Sequence, residues 1–344
     1  MKKESLVLIV IMAVMVLPKF AQCDGSFKGK MFGDYYYVAG NNVQDLEGRH
    51  GLWFRRIYFT YNNQLTDNLK MRLRLEMNSP GDFMSKDKMV PVVKDAWLSY
   101  SFGNNSVLAG VIPPPTFGKT IEDFWGYRCL EKTPLDLFKL RSSRDHGIAM
   151  KGNLNQSGSI SYMAMFGNGS SNKGEINKGK MLYGALTFEP AEGFVLEAYG
   201  DYETEVDKVS SYVYQGFAGY QGDWGRIGLH FANKHISAVD LDWDFSVLSG
   251  FAVISAGSGV DVIARYDKTM GDGWEADFKG YKISYISLAD YVKTNLIIVG
   301  VSFKVLDSLL LIPNVKYAFY DEPEIGDKPD ADIYANLSFL FKFK

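Results

Sequence analysis

The chain has 344 residues, 47% of them hydrophobic and 22% charged, which is too apolar a composition for a disordered chain. A formal charge of −3 supplies no basic field for gripping a polyphosphate, so nucleic acid is not expected as a partner. Two cysteines, Cys23 and Cys129, make no disulfide framework, and the four histidines fall in no metal-ligand spacing, so neither a metal nor a cofactor is expected. The aromatic share is 15%, with 21 Tyr, 23 Phe and 6 Trp, residue types that collect where an apolar medium meets water.

Residues 1–23 read as a cleaved export signal. Lys2 and Lys3 give a positive start, Leu6 to Leu17 run apolar over a length too short to span a bilayer, and Ala21-Gln22-Cys23 offers small residues around a cleavage point. A lipidated Cys23 is the alternative, but Phe20-Ala21-Gln22 is a poor lipobox. Nothing later reaches the ~20 apolar residues of a transmembrane helix. Residues 24–344 are therefore expected to be either a body soluble beyond the inner membrane or a β-barrel.

A period of two decides for the barrel. Between Asp67 and Asn78, Leu69, Met71, Leu73, Leu75 and Met77 alternate with Lys70, Arg72, Arg74 and Glu76. The same alternation recurs in Trp53, Ile57, Phe59 and Tyr61, in Ile227, Leu229 and Phe231, and in Val260, Val262, Ala264 and Tyr266, in runs of about ten residues, the length of a tilted membrane strand. Sixteen strands are placed near 28–39, 50–62, 67–78, 90–102, 105–114, 143–153, 157–167, 179–189, 193–202, 212–221, 223–232, 242–254, 258–267, 292–304, 307–319 and 331–343. The gaps between them alternate short and long, and the short ones are rich in Asn, Asp, Gly and Ser, as tight turns require. Outer-membrane barrels sort their connections in this way, short at the periplasmic end and long outside. Phe339, Phe341 and Phe343 share one face of the last strand with Ile333, Ala335 and Leu337, an outward aromatic signature of the kind that barrel-assembly machinery reads, shifted by the terminal Lys344.

Lysines and arginines facing lipid would each cost about 2–4 kcal/mol near the bilayer midplane, so Lys70, Arg72 and Arg74 are expected to face a water-filled lumen. Arg56 has the same parity, and the four cations would form one basic stripe, while Arg55 would point outward and snorkel beside Trp53. Glu197, Asp201, Asp261 and Asp267 are expected on the opposite wall.

The long connection at about 115–142 is the candidate constriction loop. It opens after Pro113-Pro114-Pro115, and Thr133-Pro134-Leu135-Asp136 reads as the start of a short helix through Leu140. Phe124, Trp125, Leu135 and Phe138 would pack it against the wall. Its charges are nearly balanced, Lys119, Arg128, Lys132, Lys139 and Arg141 against Glu122, Asp123, Glu131 and Asp136, and Cys129 is a small apolar filler.

The strand Phe54-Arg55-Arg56-Ile57-Tyr58-Phe59, the strand Lys70-Met71-Arg72-Leu73-Arg74-Leu75-Glu76, and the stretch from Trp125-Gly126-Tyr127-Arg128 to Ser142-Ser143-Arg144-Asp145 resemble bacterial outer-membrane porins related to the phosphate-selective porin O/P group. The resemblance implies a sixteen-stranded homotrimer in the outer membrane of a Gram-negative bacterium, contacting lipid and lipopolysaccharide, with the third loop folded inward and basic residues guiding small anions. Arg56, Lys70, Arg72 and Arg74 match the family's basic ladder in character, and the acids of the loop depart from a strongly basic phosphate trap. Two other classes remain. An outer-membrane barrel hydrolase could use His50 or His235 at the rim, but no Gly-x-Ser-x-Gly elbow accompanies them, so an enzyme is not expected. A closed structural or adhesive barrel would conduct no ions. The acidic runs Asp240, Asp242, Asp244 and Asp321 to Asp332 read as solvated outer loops rather than metal sites.

Overall fold

The computed structural model describes residues 25–78, 88–117, 120–206, 209–239, 241–277, 282–283 and 286–344, so the proposed export signal lies outside the described residues. Sixteen antiparallel strands close into one barrel. In chain order they are β1 (Ser26–Gly40), β2 (His50–Gln64), β3 (Leu69–Asn78), β4 (Val90–Phe102), β5 (Asn105–Ile112), β6 (Asp145–Asn153), β7 (Ile160–Gly167), β8 (Met181–Phe188), β9 (Phe194–Val206), β10 (Val209–Gly222), β11 (Gly225–Ala238), β12 (Leu241–Ser255), β13 (Val260–Met270), β16 (Thr294–Leu306), β17 (Leu309–Tyr320) and β18 (Asp332–Phe343). The two-residue strands β14 (Lys282–Ile283) and β15 (Ile286–Ser287) pair only with each other, in the connection between β13 and β16. Each barrel strand pairs with its neighbours in sequence, and β1 closes the ring against β18 from Gly29↔Phe343 to Gly40↔Ile333.

All sixteen expected strands are present, with corrected ends. Two connections expected to be long are strand instead: β9 runs to Val206 before β10 resumes at Val209, and β11 runs to Ala238 before β12 resumes at Leu241. Polar residues such as Ser210, Ser237 and Asp242 can pair as strand where both faces meet water, so the loss of apolar alternation did not end the ladder. β5 stops at Ile112, because Pro113 to Pro115 carry no N–H for pairing.

Side-chain parity follows the expected alternation. Leu52, Ile148, Leu182 and Leu229 are more than half exposed on the outside, while Phe32, Val38, Ile112, Val247, Ile298 and Ile312 are fully buried inside. The core therefore lies within the barrel, where these wall residues meet Phe117, Ile121, Trp125, Leu130, Leu135, Phe138 and Leu140 of the segment between β5 and β6.

Among the register shifts in the ladders, two β-bulges turn charged residues inward. Phe32 pairs with Arg56 but Gly33 with Phe54, so Arg55 is an extra residue on β2. Arg74 pairs with Asp95 but Leu75 with Val93, which makes Lys94 extra on β4. The first bulge corrects two expectations: Arg55 is 4% exposed and bonded to Asp34 inside the barrel, and Trp53 beyond it also faces inward, edge-on to Tyr36.

Gly110 on β5 has φ +128°, and a Cβ there would lie 2.1 Å from the carbonyl oxygen of Ala96. A non-glycine residue in such a backbone region costs about 1–3 kcal/mol before any clash is counted. Gly110→Val is expected to abolish the heat-modifiable band of the folded barrel in gel electrophoresis, whereas a valine at Gly103, whose φ is also positive but which has open space around its Cβ, should retain it.

Candidate functional site in the barrel lumen

A cavity of about 270 Å³ lies between β1 to β4 and the segment that follows β5. Its basic lining is Lys28, Lys30, Arg72, Arg74, Lys94, Arg128 and Arg144, and its acidic lining is Asp95, Glu122, Asp123 and Asp136. Seven cations thus face four acids, with Tyr58 and Thr60 between them.

The arginines are held rather than free-swinging. Arg72 donates to Asn62 at 2.7 Å and stacks 5.2 Å from the ring of Trp97, and Arg74 donates to Thr60 at 2.9 Å and lies 5.6 Å from Tyr58. Asp95, 1% exposed, gathers three guanidinium groups: Arg74 at 3.3 Å, Arg72 at 3.9 Å, and Arg144 in direct contact. One carboxylate cannot neutralise three such groups, so the pocket keeps a positive excess. Glu76 beside it is shared by Lys94 at 3.3 Å and Arg56 at 3.5 Å.

The structure divides the expected stripe. Arg72 and Arg74 line the cavity, Arg56 is turned to Glu76, and Lys70 is exposed near the turn to β2. Lys28, Lys30, Lys94 and Arg144 line it without having been singled out. The lysines of β1 share the parity of Phe32 and were legible on that ground, whereas Lys94 is turned inward by a bulge that no alternation reveals.

The described residues of the segment 113–144 include two short helices, Thr120–Trp125 and Pro134–Leu137, the second ending at Leu137 rather than Leu140 because Lys139 takes φ +54°. Its contacts are with inward-facing side chains around the ring. Phe124 packs on Phe217 and Phe251, Arg226 donates to the Trp125 carbonyl at 3.0 Å, and Arg265 donates to the Lys132 carbonyl at 2.5 Å. Tyr127 donates to Asp261 at 2.6 Å, and Arg141 meets Asp201 at 2.8 Å. Cys129 is buried among these apolar groups. Of the charges expected in the constriction, Glu122, Asp123, Arg128 and Asp136 line the cavity, and Lys132 reaches Asp136 at 3.4 Å. Glu131 turns away to Lys316, Arg141 to Asp201 and Glu203, Lys139 is exposed, and Lys119 lies outside the described residues.

No protein-family model and no curated protein matches the sequence. Solved structures do match. An anion-selective porin from Comamonas acidovorans superposes with a TM-score of 0.68 at 12% identity, covering 94% of this chain and 100% of that one. Salmonella typhi OmpF in complex with daunomycin gives 0.66 at 12% identity over 93% of this chain and 97% of that one. The trimer form of OmpT, an outer-membrane protein of Vibrio cholerae, gives 0.63 at 11% identity over 94% and 100%. The barrel has the porin fold. At such identities the agreement is one of architecture.

On this porin fold, the ionic anchor of the second helix is Asp136. Burial opposes its ionisation, but Lys132 and Arg128 overcome that and hold its carboxyl well below the usual carboxylate range. A depressed carboxyl stabilises the docked segment at every pH above its unfolded value and loses that contribution only as pH falls through the lower folded value. Trp125 fluorescence, as a reporter of docking, should therefore stay unchanged from pH 7 to about 4, near the unfolded Asp value. Asp136→Asn should shift the signal already at pH 7, and a transition in the parent protein near pH 5 to 6 would contradict this assignment.

Proposed function

We propose that this chain is a porin of the Gram-negative outer membrane, exported by residues 1–23, through which small hydrophilic solutes diffuse passively with a preference for small anions. The observation that carries the reading is the uneven lining of the lumen cavity, seven cations against four acids. Charge in a narrow water column with low-dielectric walls is screened less than on an open surface, so the local excess enriches anions whatever the net charge of the chain.

The acids of the other wall weaken this field little. Asp201 is matched by Arg141 at 2.8 Å and Asp267 by Arg265 at 2.6 Å, and neither lines the cavity. Phosphate is one anion of suitable size, in keeping with the porin O/P resemblance, but the four acids in the lining favour a diffusion path over a tight trap. The apolar outer belt, with aromatics such as Tyr35, Tyr37, Tyr202, Tyr212 and Tyr214 exposed near its long-loop end, suits lipid and lipopolysaccharide, and delivery there falls to the barrel-assembly machinery. The anion-selective porin from Comamonas acidovorans and the OmpT trimer of Vibrio cholerae make anion preference and a homotrimer natural expectations for this chain as well.

Planar-bilayer recordings test the reading. The parent protein should show ion steps and a reversal potential of anion-selective sign under a salt gradient. Each lumen charge acting through water on an ion about 10 Å away is worth about 0.4 kcal/mol, close to a factor of two. Arg72→Gln with Arg74→Gln should thus make the passage about fourfold less favourable to anions and about fourfold more favourable to cations, lowering the anion-to-cation permeability ratio about sixteenfold while the barrel still folds. An unchanged reversal potential with intact conductance would leave unselective diffusion. In mild detergent the protein should migrate as a heat-labile trimer, and a monodisperse monomer would count against that assembly.

A further inference from the structure

The short run Arg128–Glu131 presents its groups to opposite sides. Arg128 faces the cavity, 3.7 Å from Glu122 and 3.6 Å from Asp136. Leu130 and Glu131 face the seam where the barrel closes. The Leu130 carbonyl accepts from Arg55 at 2.8 Å and from Lys316 at 2.7 Å, and Lys316 Nζ also meets Glu131 at 2.9 Å. Arg55 is itself bound to Asp34 at 2.7 Å, and Asp34 accepts from Ser338. These partners come from β2, β17, β1 and β18, four neighbouring strands. Lys316 is 1% exposed, and Glu131 and Asp34 are at 0%.

Phe32 separates this seam from the passage. Its ring lies 5.4 Å from the Arg55 guanidinium and 5.9 Å from that of Arg128, so the two arginines approach it as a shared spacer. A segment tied on one side of the ring by a doubly bonded carbonyl and a buried ion pair has little freedom to move its arginine on the other. Buried charges also make the attachment close to all-or-none, because pulling Glu131 out strands Lys316 without water.

We propose that Lys316 and Arg55 are positioning residues that clamp Leu130 and Glu131 to the closure seam and so hold Arg128 in the passage, setting the width of the constriction and part of its anion preference. This rests on the porin reading above. Lys316 does not line the cavity, so its influence on permeation has to pass through the clamped segment.

The experiment replaces the pair together, Lys316→Met with Glu131→Gln, which leaves the net lumen charge unchanged. Single-channel conductance should rise with added flicker, and the reversal potential should move toward that of an unselective pore. Arg128→Gln, which should weaken anion preference in the parent, should then add little in the unclamped background, since the arginine has already left its place. Lys316→Arg alone, keeping charge and donors, should retain the parent behaviour. Parent-like conductance in the folded pair variant together with an undiminished Arg128→Gln effect overturns the clamp. If the pair variant loses its heat-modifiable band, Lys316→Gln with Glu131→Gln, which replaces the ion pair by a weaker amide pair, is measured by the same two criteria. Absence of ion steps in the parent protein would instead overturn the porin reading on which the clamp rests.

Discussion

A charge on a strand that faces hydrocarbon costs several kcal/mol near the bilayer centre, and this cost dictates most of what the barrel does with its sequence. A regular strand sends successive side chains to opposite faces, so two charged neighbours would put one of them in lipid. Arg55-Arg56 and Lys94-Asp95 are such neighbours, and each coincides with a β-bulge that turns both inward. Asp267-Lys268 on β13 is the informative contrast. There the strand stays regular and Lys268 does point outward, but it lies at the long-loop end, 3.9 Å from Asp321, where its ammonium group is not confined to hydrocarbon. The two bulges keep both charges of each pair out of the apolar face, and they contribute to the seam and the cavity: one delivers Arg55 to Asp34, the other Lys94 to Glu76.

The same economy governs the inward segment. Irregular backbone inside a barrel carries carbonyl groups that no ladder satisfies, and each one left dry costs about 1–3 kcal/mol. The wall supplies cations to three of them: Arg226 to Trp125, Arg55 and Lys316 to Leu130, and Arg265 to Lys132. A basic inward side chain therefore has two uses in this lumen. Some cap the segment's backbone and are consumed by it, and others keep their field for the passage.

That division explains what was readable from the residues and what was not. The sixteen strands, their parity and the closure through a C-terminal aromatic strand rest on a period of two, which survives in the sequence wherever one face meets lipid. It fades where both faces meet water, and there the sequence predicts loops where the structure has the extended β9–β10 and β11–β12 hairpins. Arg72 and Arg74 sit on an unbroken alternation and were found. Lys94 and the inward turn of Arg55 depend on an extra residue in one strand, visible only once its partner's register is known. The partners of the segment, such as Lys316 for Glu131 and Asp201 for Arg141, are 185 and 60 positions away in sequence, and no local pattern encodes such pairings.

What an ion meets in the passage is therefore set by which charges are already spent. Arg141, Arg265 and Lys316 are cations, but each lies within 3 Å of a buried carboxylate and adds little net field. Glu197 accepts from Thr116 and Asp261 from Tyr127, and both stand outside the cavity on the far wall. Attraction falls with distance and with screening, so charges that line the cavity act on an ion there more strongly than those of the far wall. The lining of the cavity then outweighs both the far wall and the net charge of the chain. An excess of basic groups held on β1, β3 and β4 and on the segment, with Asp95 shared among three arginines, is the local charge on which the proposed anion preference of an acidic protein rests.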